Sequence, residues 1–257
     1  MSARESHKTD GFVLKSLSYG ESDLIVTFCS REFGKIKGIA KGAKRSRKRF
    51  ANVFEPFSLA SIIFSRKDRD ALAFIEACDI IDHYAAIRQD LEKTLTASYY
   101  IDLADHFSPE GKHNENLFVL LSDFLTLLSR ENASDAAIRF FEMRLLKIAG
   151  FEPALTSCVR CKTPVTKGAS YYFYPKEGGI FCAACARPER YDQGVSAGTV
   201  RTLLLGKDMA VEKIKMVSLS ESLACESRSI LCGFISYVLG KEVKSLKVME
   251  QVRRYYP

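Results

Sequence analysis

No stretch of the 257 residues is apolar for long enough to cross a membrane. Leu117-Phe-Val-Leu-Leu121 is typical of the longest runs, well short of the ~18 residues that a span requires. The N-terminal Met1-Ser-Ala-Arg-Glu-Ser-His-Lys-Thr-Asp10 has no apolar segment that would act as a secretory signal. A soluble cytoplasmic protein with no membrane partner is therefore expected. A phosphate-cradling loop is missing too. Gly38-Ile-Ala-Lys-Gly42-Ala-Lys44 has the wrong spacing, which argues against an intrinsic ATPase. Histidine is scarce: His7, His83, His106 and His113 are scattered, and no His-Glu-x-x-His occurs. Asp102, Asp105 and His106 share part of one helix face, but solvated Asp and His are common there. No constellation carries a catalytic mechanism, so neither enzymatic activity nor a small-molecule substrate is expected. Internal repeats and low-complexity segments are lacking as well. The 47% hydrophobic content is ample for real cores in more than one domain.

What the chain does have is two cysteine knuckles, Cys158-x-x-Cys161 and Cys182-x-x-Cys185, separated by a 20-residue insert. Four thiolates at about 2.3 Å complete the tetrahedral shell of zinc and leave no position for a reactive water. A structural Zn2+ is the favoured reading. Disulfides would need an oxidising compartment. A thioredoxin-like pair would need its Cys-x-x-Cys to open a helix after a strand, whereas Cys158 follows Pro153 in a loop. An iron–sulfur cluster remains an alternative, although nothing nearby suggests redox traffic. Within the insert, Tyr171 to Tyr174 favour a strand, Gly178-Gly179 a turn, and Ile180-Phe181 a return strand, as in a zinc ribbon. Packing within that hairpin is the expected use of its aromatics. Cys29, Cys78, Cys225 and Cys232 read as buried free thiols, the last two on one face of a helix.

The net charge of +7 is concentrated in one place. Arg31 to Arg49 holds nine basic residues against the single acid Glu32, so this segment is +8 and the remaining chain is −1. A basic block isolated in a neutral protein reads as a polyanion contact. A nuclear localisation signal would look similar.

Strand-like runs at 12–14, 24–28, 35–40, 57–64 and 72–81, with turns at Tyr19-Gly20 and Phe33-Gly34, suggest a small closed barrel of the oligonucleotide/oligosaccharide-binding type. The basic stretch from Lys41 then falls in the connection after the third strand. Beyond Ile81 the period becomes helical. One helix is expected over 85–107, with Ile87, Leu91 and Leu95 on one face, and another over 116–129. A third opens at the N-cap Ser134 and ends at Gly150. After the insert, further helices are expected at Ser196, over 223–239 and over 243–255. The fold class is α+β. Residues 1–82 form the barrel and 83–257 a helical domain, with the zinc insertion at about 156–190.

Three blocks in order resemble the bacterial recombination mediator family RecO, across nearly the whole chain. They are Tyr19-Gly-Glu-Ser-Asp-Leu-Ile-Val-Thr-Phe28 with Phe33-Gly34-Lys35; Ala40-Lys-Gly-Ala-Lys-Arg45 with Phe54-Glu-Pro-Phe57; and Arg139-Phe-Phe-Glu-Met-Arg-Leu-Leu-Lys-Ile-Ala-Gly-Phe-Glu-Pro153 running into Cys158. The resemblance implies a barrel that binds single- and double-stranded DNA and anneals complementary strands. It further implies cooperation with RecR and the single-stranded DNA-binding protein to load the recombinase, in the cytoplasm at the nucleoid. Some members of that family lack the four cysteines, which fits a structural metal. Candidate DNA contacts are Lys35, Lys37, Lys41, Lys44, Arg45, Arg47, Lys48 and Arg49. Phe12, Tyr19 and Phe33 are conceivable stacking residues, with barrel core the expected fate of Phe12. The acidic, apolar-tipped tail of the single-stranded DNA-binding protein needs a greasy groove with a basic rim, and the resemblance points to the helix of Arg139, with Arg144 and Lys147. The competing readings are a metal-dependent nucleic-acid enzyme and a protein scaffold that does not bind DNA.

Overall fold

The computed structural model describes residues 5–46, 48–50, 52–66, 72–186 and 193–255. It has two compact units, residues 1–130 with 248–257, and residues 131–247.

In the first unit, alternation of side chains shapes the barrel. Along β3 (Gly34–Ala40), Gly34, Ile36, Gly38 and Ala40 are buried, while Lys35, Lys37 and Ile39 lie on the other side. β1 (Ser6–Tyr19) pairs antiparallel with β2 (Asp23–Ser30) and β4 (Leu59–Ser65), and β2 with β3. β5 (Ala73–Asp82) pairs antiparallel with β4 and, briefly, parallel with β3. The order β1-β2-β3-β5-β4 closes on itself, the expected small five-stranded barrel. Val13, Val26, Phe28, Ile36, Ile62, Phe64 and Ile75 fill it, joined by Phe50 and Phe54 from the connection after β3. Gly34 has φ +65°, and a Cβ there would lie 1.9 Å from the Lys112 carbonyl oxygen, so a larger residue would displace the neighbouring loop.

The helix expected over 85–107 is broken. α1 (Ala85–Arg88) stops, Asp90 turns extended, and its carboxylate accepts from the Lys93 N–H to open α2 (Leu91–Phe107). The single face through Ile87, Leu91 and Leu95 is lost with it, and Leu91 is 57% exposed. α3 (Glu115–Arg130) follows. Phe12 is buried, as expected, but on the outer side of the barrel, with its ring 5.0 Å from that of Phe118 in α3.

The second unit is built on α4 (Asp135–Ile148), capped by the Ser134 hydroxyl accepting from the Ala137 N–H. The insert forms β6 (Ser170–Tyr174) between β7 (Gly179–Cys182) and β8 (Gln193–Ser196). Then come α5 (Ala197–Asp208), the short α6 (Val211–Ile214), α7 (Glu221–Leu239) and α8 (Lys244–Tyr255), which runs on into the first unit. The Phe173 ring meets Phe234 of α7 at 5.4 Å and 76°, so the insert's aromatics pack onto a helix as well as within the hairpin. Among the described residues, no helix is long and apolar enough to cross a membrane.

The start of α5 is tied to α7 by Glu226. Its carboxylate accepts from the Ser196 N–H, the Ser196 hydroxyl and the Thr199 hydroxyl. Burial works against its charge, but these donors outweigh burial and hold the carboxyl below its ordinary 4.5. That contribution is complete above 4.5 and fades as pH falls through the lower folded value. Glu226→Gln should destabilise the protein by about 1 kcal/mol at neutral pH and less under acid conditions, as read by urea unfolding across pH.

Candidate nucleic-acid interface and metal centre

The basic segment leaves β3 at Ala40 and is anchored on both sides. Ala43 and Phe50 are buried in the barrel core, while Lys44, Arg45, Lys48 and Arg49 between them are exposed. Its start is held by the β1–β2 turn. The Asp23 carboxylate accepts from the Gly42 N–H at 2.8 Å, the Ser22 carbonyl from the Lys44 N–H, and the Gly20 carbonyl from Lys44 Nζ. The Gly42 N–H is the main reason the Asp23 carboxyl lies below its usual range, with the Ser22 hydroxyl and the lysines 41 and 44 adding to it. Asp23 was not singled out from the sequence. An Asx residue facing a glycine across a turn was the available signal, but the partner is 19 residues away.

Lys37, Lys41, Lys44, Arg45, Lys48 and Arg49 are all exposed, on or just beyond the end of β3. Arg45 reaches Glu21 at 3.8 Å, a pairing that is weak in so exposed a position. Arg49 donates to the Lys41 carbonyl and lies 5.0 Å over the Phe50 ring, bracing the loop on itself. Arg47 lies outside the described residues. Lys35 is placed differently. Its ammonium sits 2.7 Å from the Asp105 carboxylate and donates to the Asp105 and Ser108 carbonyls. The cation thus serves to dock β3 to the end of α2.

The three candidates on α4 do not share a surface. Arg139 is 2% exposed, ion-paired with the buried Glu142 at 3.0 Å, and donates to Cys232 Sγ at 3.2 Å. Breaking such a pair costs about 3–5 kcal/mol, so Arg139 serves the packing of α4 against α7. Arg144, half-buried, donates to the Gly206 and Met209 carbonyls. Lys147 is exposed and meets Asp208 at 3.2 Å.

Cys158, Cys161, Cys182 and Cys185 converge, with their sulfur atoms all within 4.8 Å of one another and Cys161 3.6 Å from Cys182. A tetrahedron with bonds of about 2.3 Å has edges of roughly 3.8 Å, so these four residues can hold a metal. Each knuckle is a tight turn. The Lys162 N–H donates to the Cys158 carbonyl with Lys162 at φ +63°, and the Cys185 and Ala186 N–H groups donate to the Cys182 carbonyl. Burial opposes the Cys158 thiolate, but backbone N–H groups from Cys161, Cys182 and Arg160 bring its thiol below the ordinary value. The Thr163 hydroxyl and N–H take Cys161 down to about 6. Cys185, whose S–H bonds to Cys161, is pushed up to about 12. Sulfurs this close cannot all be thiolates without a cation between them, and this donor set fits a divalent metal. The remaining cysteines divide. Cys29 and Cys78 are buried and pushed up to about 12 by desolvation. Cys225 is exposed and Cys232 only half-buried, against the expectation that all four are buried. Seven positions along a helix are nearly two turns, but α7 is covered mainly along another stripe.

The family model described as Recombination protein O N terminal matches residues 1–84, and that described as Recombination protein O C terminal matches residues 88–247. The chain belongs to the RecO family. It is 49% identical to the DNA repair protein RecO of Syntrophus aciditrophicus, over 99% of each chain. It is 35% identical to the protein of that name from Geobacter metallireducens, over 96% of this chain and 98% of that one. Identity to the DNA repair protein RecO of Anaeromyxobacter sp. (strain K) is 32%, over 95% and 96%. The family is one of DNA repair and recombination proteins, and the barrel and the cysteine cluster are both parts of this member's fold.

A metal held by all four sulfurs makes a direct prediction. Purified protein should carry about one equivalent of divalent metal per chain. Cys158→Ser should lose it and melt at least about 5 °C lower. Metal analysis with thermal unfolding checks both, and wild-type protein that is metal-free and equally stable would count against the site.

Proposed function

We propose that this protein is a non-catalytic recombination mediator. Its barrel, residues 1–82, binds single- and double-stranded DNA, and the protein anneals complementary strands. With RecR and the single-stranded DNA-binding protein, it assists recombinase loading. The helical part, residues 83–257, serves as the platform for protein partners, and its cysteine insert holds a structural Zn2+. The observation that carries this reading is the group Lys37, Lys41, Lys44, Arg45, Lys48 and Arg49, exposed around one end of a barrel in a chain otherwise near neutrality.

These cations neutralise phosphates and release counterions, so affinity is independent of sequence and falls with salt. Annealing needs no covalent step. Screening two like-charged strands and holding them close is sufficient. Arg47 belongs with the contacts by its place in the loop, whereas Lys35 contributes by fixing β3 to α2. For the acidic tail of the single-stranded DNA-binding protein we keep α4, with Lys147 as its accessible cation and Arg139 and Arg144 supporting the helix from within.

Engaging about five phosphates predicts a log–log salt slope of roughly −4 to −5 on duplex DNA. Replacing Lys44, Arg45, Arg47, Lys48 and Arg49 with alanine should weaken binding to both DNA forms and flatten that slope by about one unit for each phosphate no longer engaged. Fluorescence anisotropy over a range of salt concentrations measures this. Unchanged affinity would leave the scaffold reading standing. Strand loss in magnesium that an Asp or Glu substitution abolishes would instead identify a nuclease.

A further inference from the structure

The ladder between β2 and β3 ends at the pair Leu24 and Ala40, so Lys41 and the residues after it lie beyond backbone pairing of these two strands. Asp23 is the residue next to that last pair. Its half-buried carboxylate accepts from the Gly42 N–H at 2.8 Å and from the Ser22 hydroxyl at 3.0 Å. The side chain thus takes a backbone donor just where the ladder stops supplying acceptors. Gly42 has φ +69°, which glycine adopts freely, and Ala43 after it is buried, so the bond acts where the chain turns. The far end of the loop is tied as well. The Arg49 N–H donates to the Ser46 hydroxyl, and the Arg49 carbonyl accepts from the Cys78 N–H of β5. Between these ties stand Lys44, Arg45 and Lys48, each exposed.

An acid among these cations opposes a polyanion, so its presence needs a compensating gain. The cations repel one another, and an untied loop would have to be ordered as DNA binds. Ordering lowers affinity for every side chain and peptide unit that it fixes. A loop already ordered in the free protein escapes that loss. The opposing effect is the repulsion of one carboxylate for phosphates, which salt screens. Lys41 and Lys44 close by, and the Gly42 N–H itself, offset it further.

We infer that Asp23 is a positioning residue for DNA binding, which strengthens the hold on DNA despite its charge by ordering the basic loop before DNA arrives. The inference rests on the DNA-binding reading above and adds how that site is prepared. Affinity then depends on the acceptor at position 23 and not on the charge there. Asp23 engages no phosphate itself, so losing the acceptor lowers affinity by the same factor at every salt concentration.

Asp23→Asn and Asp23→Ala have equal net charge, but only asparagine keeps an oxygen for the Gly42 N–H. Fluorescence anisotropy with an oligothymidylate and with a duplex, over a range of salt concentrations, compares them. Asp23→Ala should bind both forms roughly 3- to 20-fold more weakly than wild type, despite its added positive charge, and with an unchanged log–log salt slope. Asp23→Asn should recover most of that loss. Trypsin, which cuts after Lys and Arg, should nick residues 41–49 faster in Asp23→Ala than in Asp23→Asn, as read by mass spectrometry. Melting temperatures verify folding, and Asp23→Leu, near asparagine in size but without an acceptor, repeats the comparison if alanine lowers them. Wild-type or tighter binding by Asp23→Ala overturns the inference, as does an asparagine variant no better than alanine. A slope flatter by one unit overturns it too, because a lost phosphate contact would then be the cause. The variant with five loop alanines separates the two readings. Its normal binding would refute DNA contact by the loop, whereas its loss of binding beside equal affinities of Asp23→Ala and Asp23→Asn would remove only the positioning role.

Discussion

The barrel closes where β3 and β5 run parallel for two residue pairs, Gly38 with Ala73 and Ile39 with Phe74. A Cβ at position 38 would come within 2.5 Å of the Ile75 side chain and 3.1 Å of the Ala73 carbonyl oxygen, so this seam depends on glycine. A short seam still has a large effect, because a slip of one residue would exchange the two faces of β3. With the register as it is, Ile36 and Ala40 enter the core while Lys37 and Ile39 face outward. The chain then leaves at Ala40, turns under Asp23, and returns at Phe50 to plug the barrel. The outward placement of Lys37 and Ile39, and of the exposed cations beyond them, follows from that closure.

Alternation and turn chemistry made the barrel legible from sequence, since β-branched runs and glycine turns are local signals. Ser134 and Ser196 likewise marked true helix starts, because a cap is set by its own residue and the N–H three positions later. The failures are of a different kind. Lys35 and Arg139 carry the same charge as their neighbours, and only a partner distant in sequence or within the core decides their role. Asp105 captures the first across 70 residues. Glu142 and Cys232 enclose the second. The break at Asp90 was locally encoded, but the apolar run on either side concealed it. The convergence of the cysteines was readable because two Cys-x-x-Cys knuckles have the spacing that a four-thiolate metal shell requires.

The two sites solve opposite electrostatic problems. In the insert, like charges must be packed together, which a metal cation held by the four sulfurs would permit, in a closed shell with no position left for chemistry. In the loop, like charges must stay apart and exposed, and a single carboxylate arranges this. Asp23 binds a backbone N–H instead of a lysine, so it fixes the loop while leaving the ammonium groups available. Glu21 offsets Arg45 only weakly at 3.8 Å, so the guanidinium keeps most of its charge toward solvent.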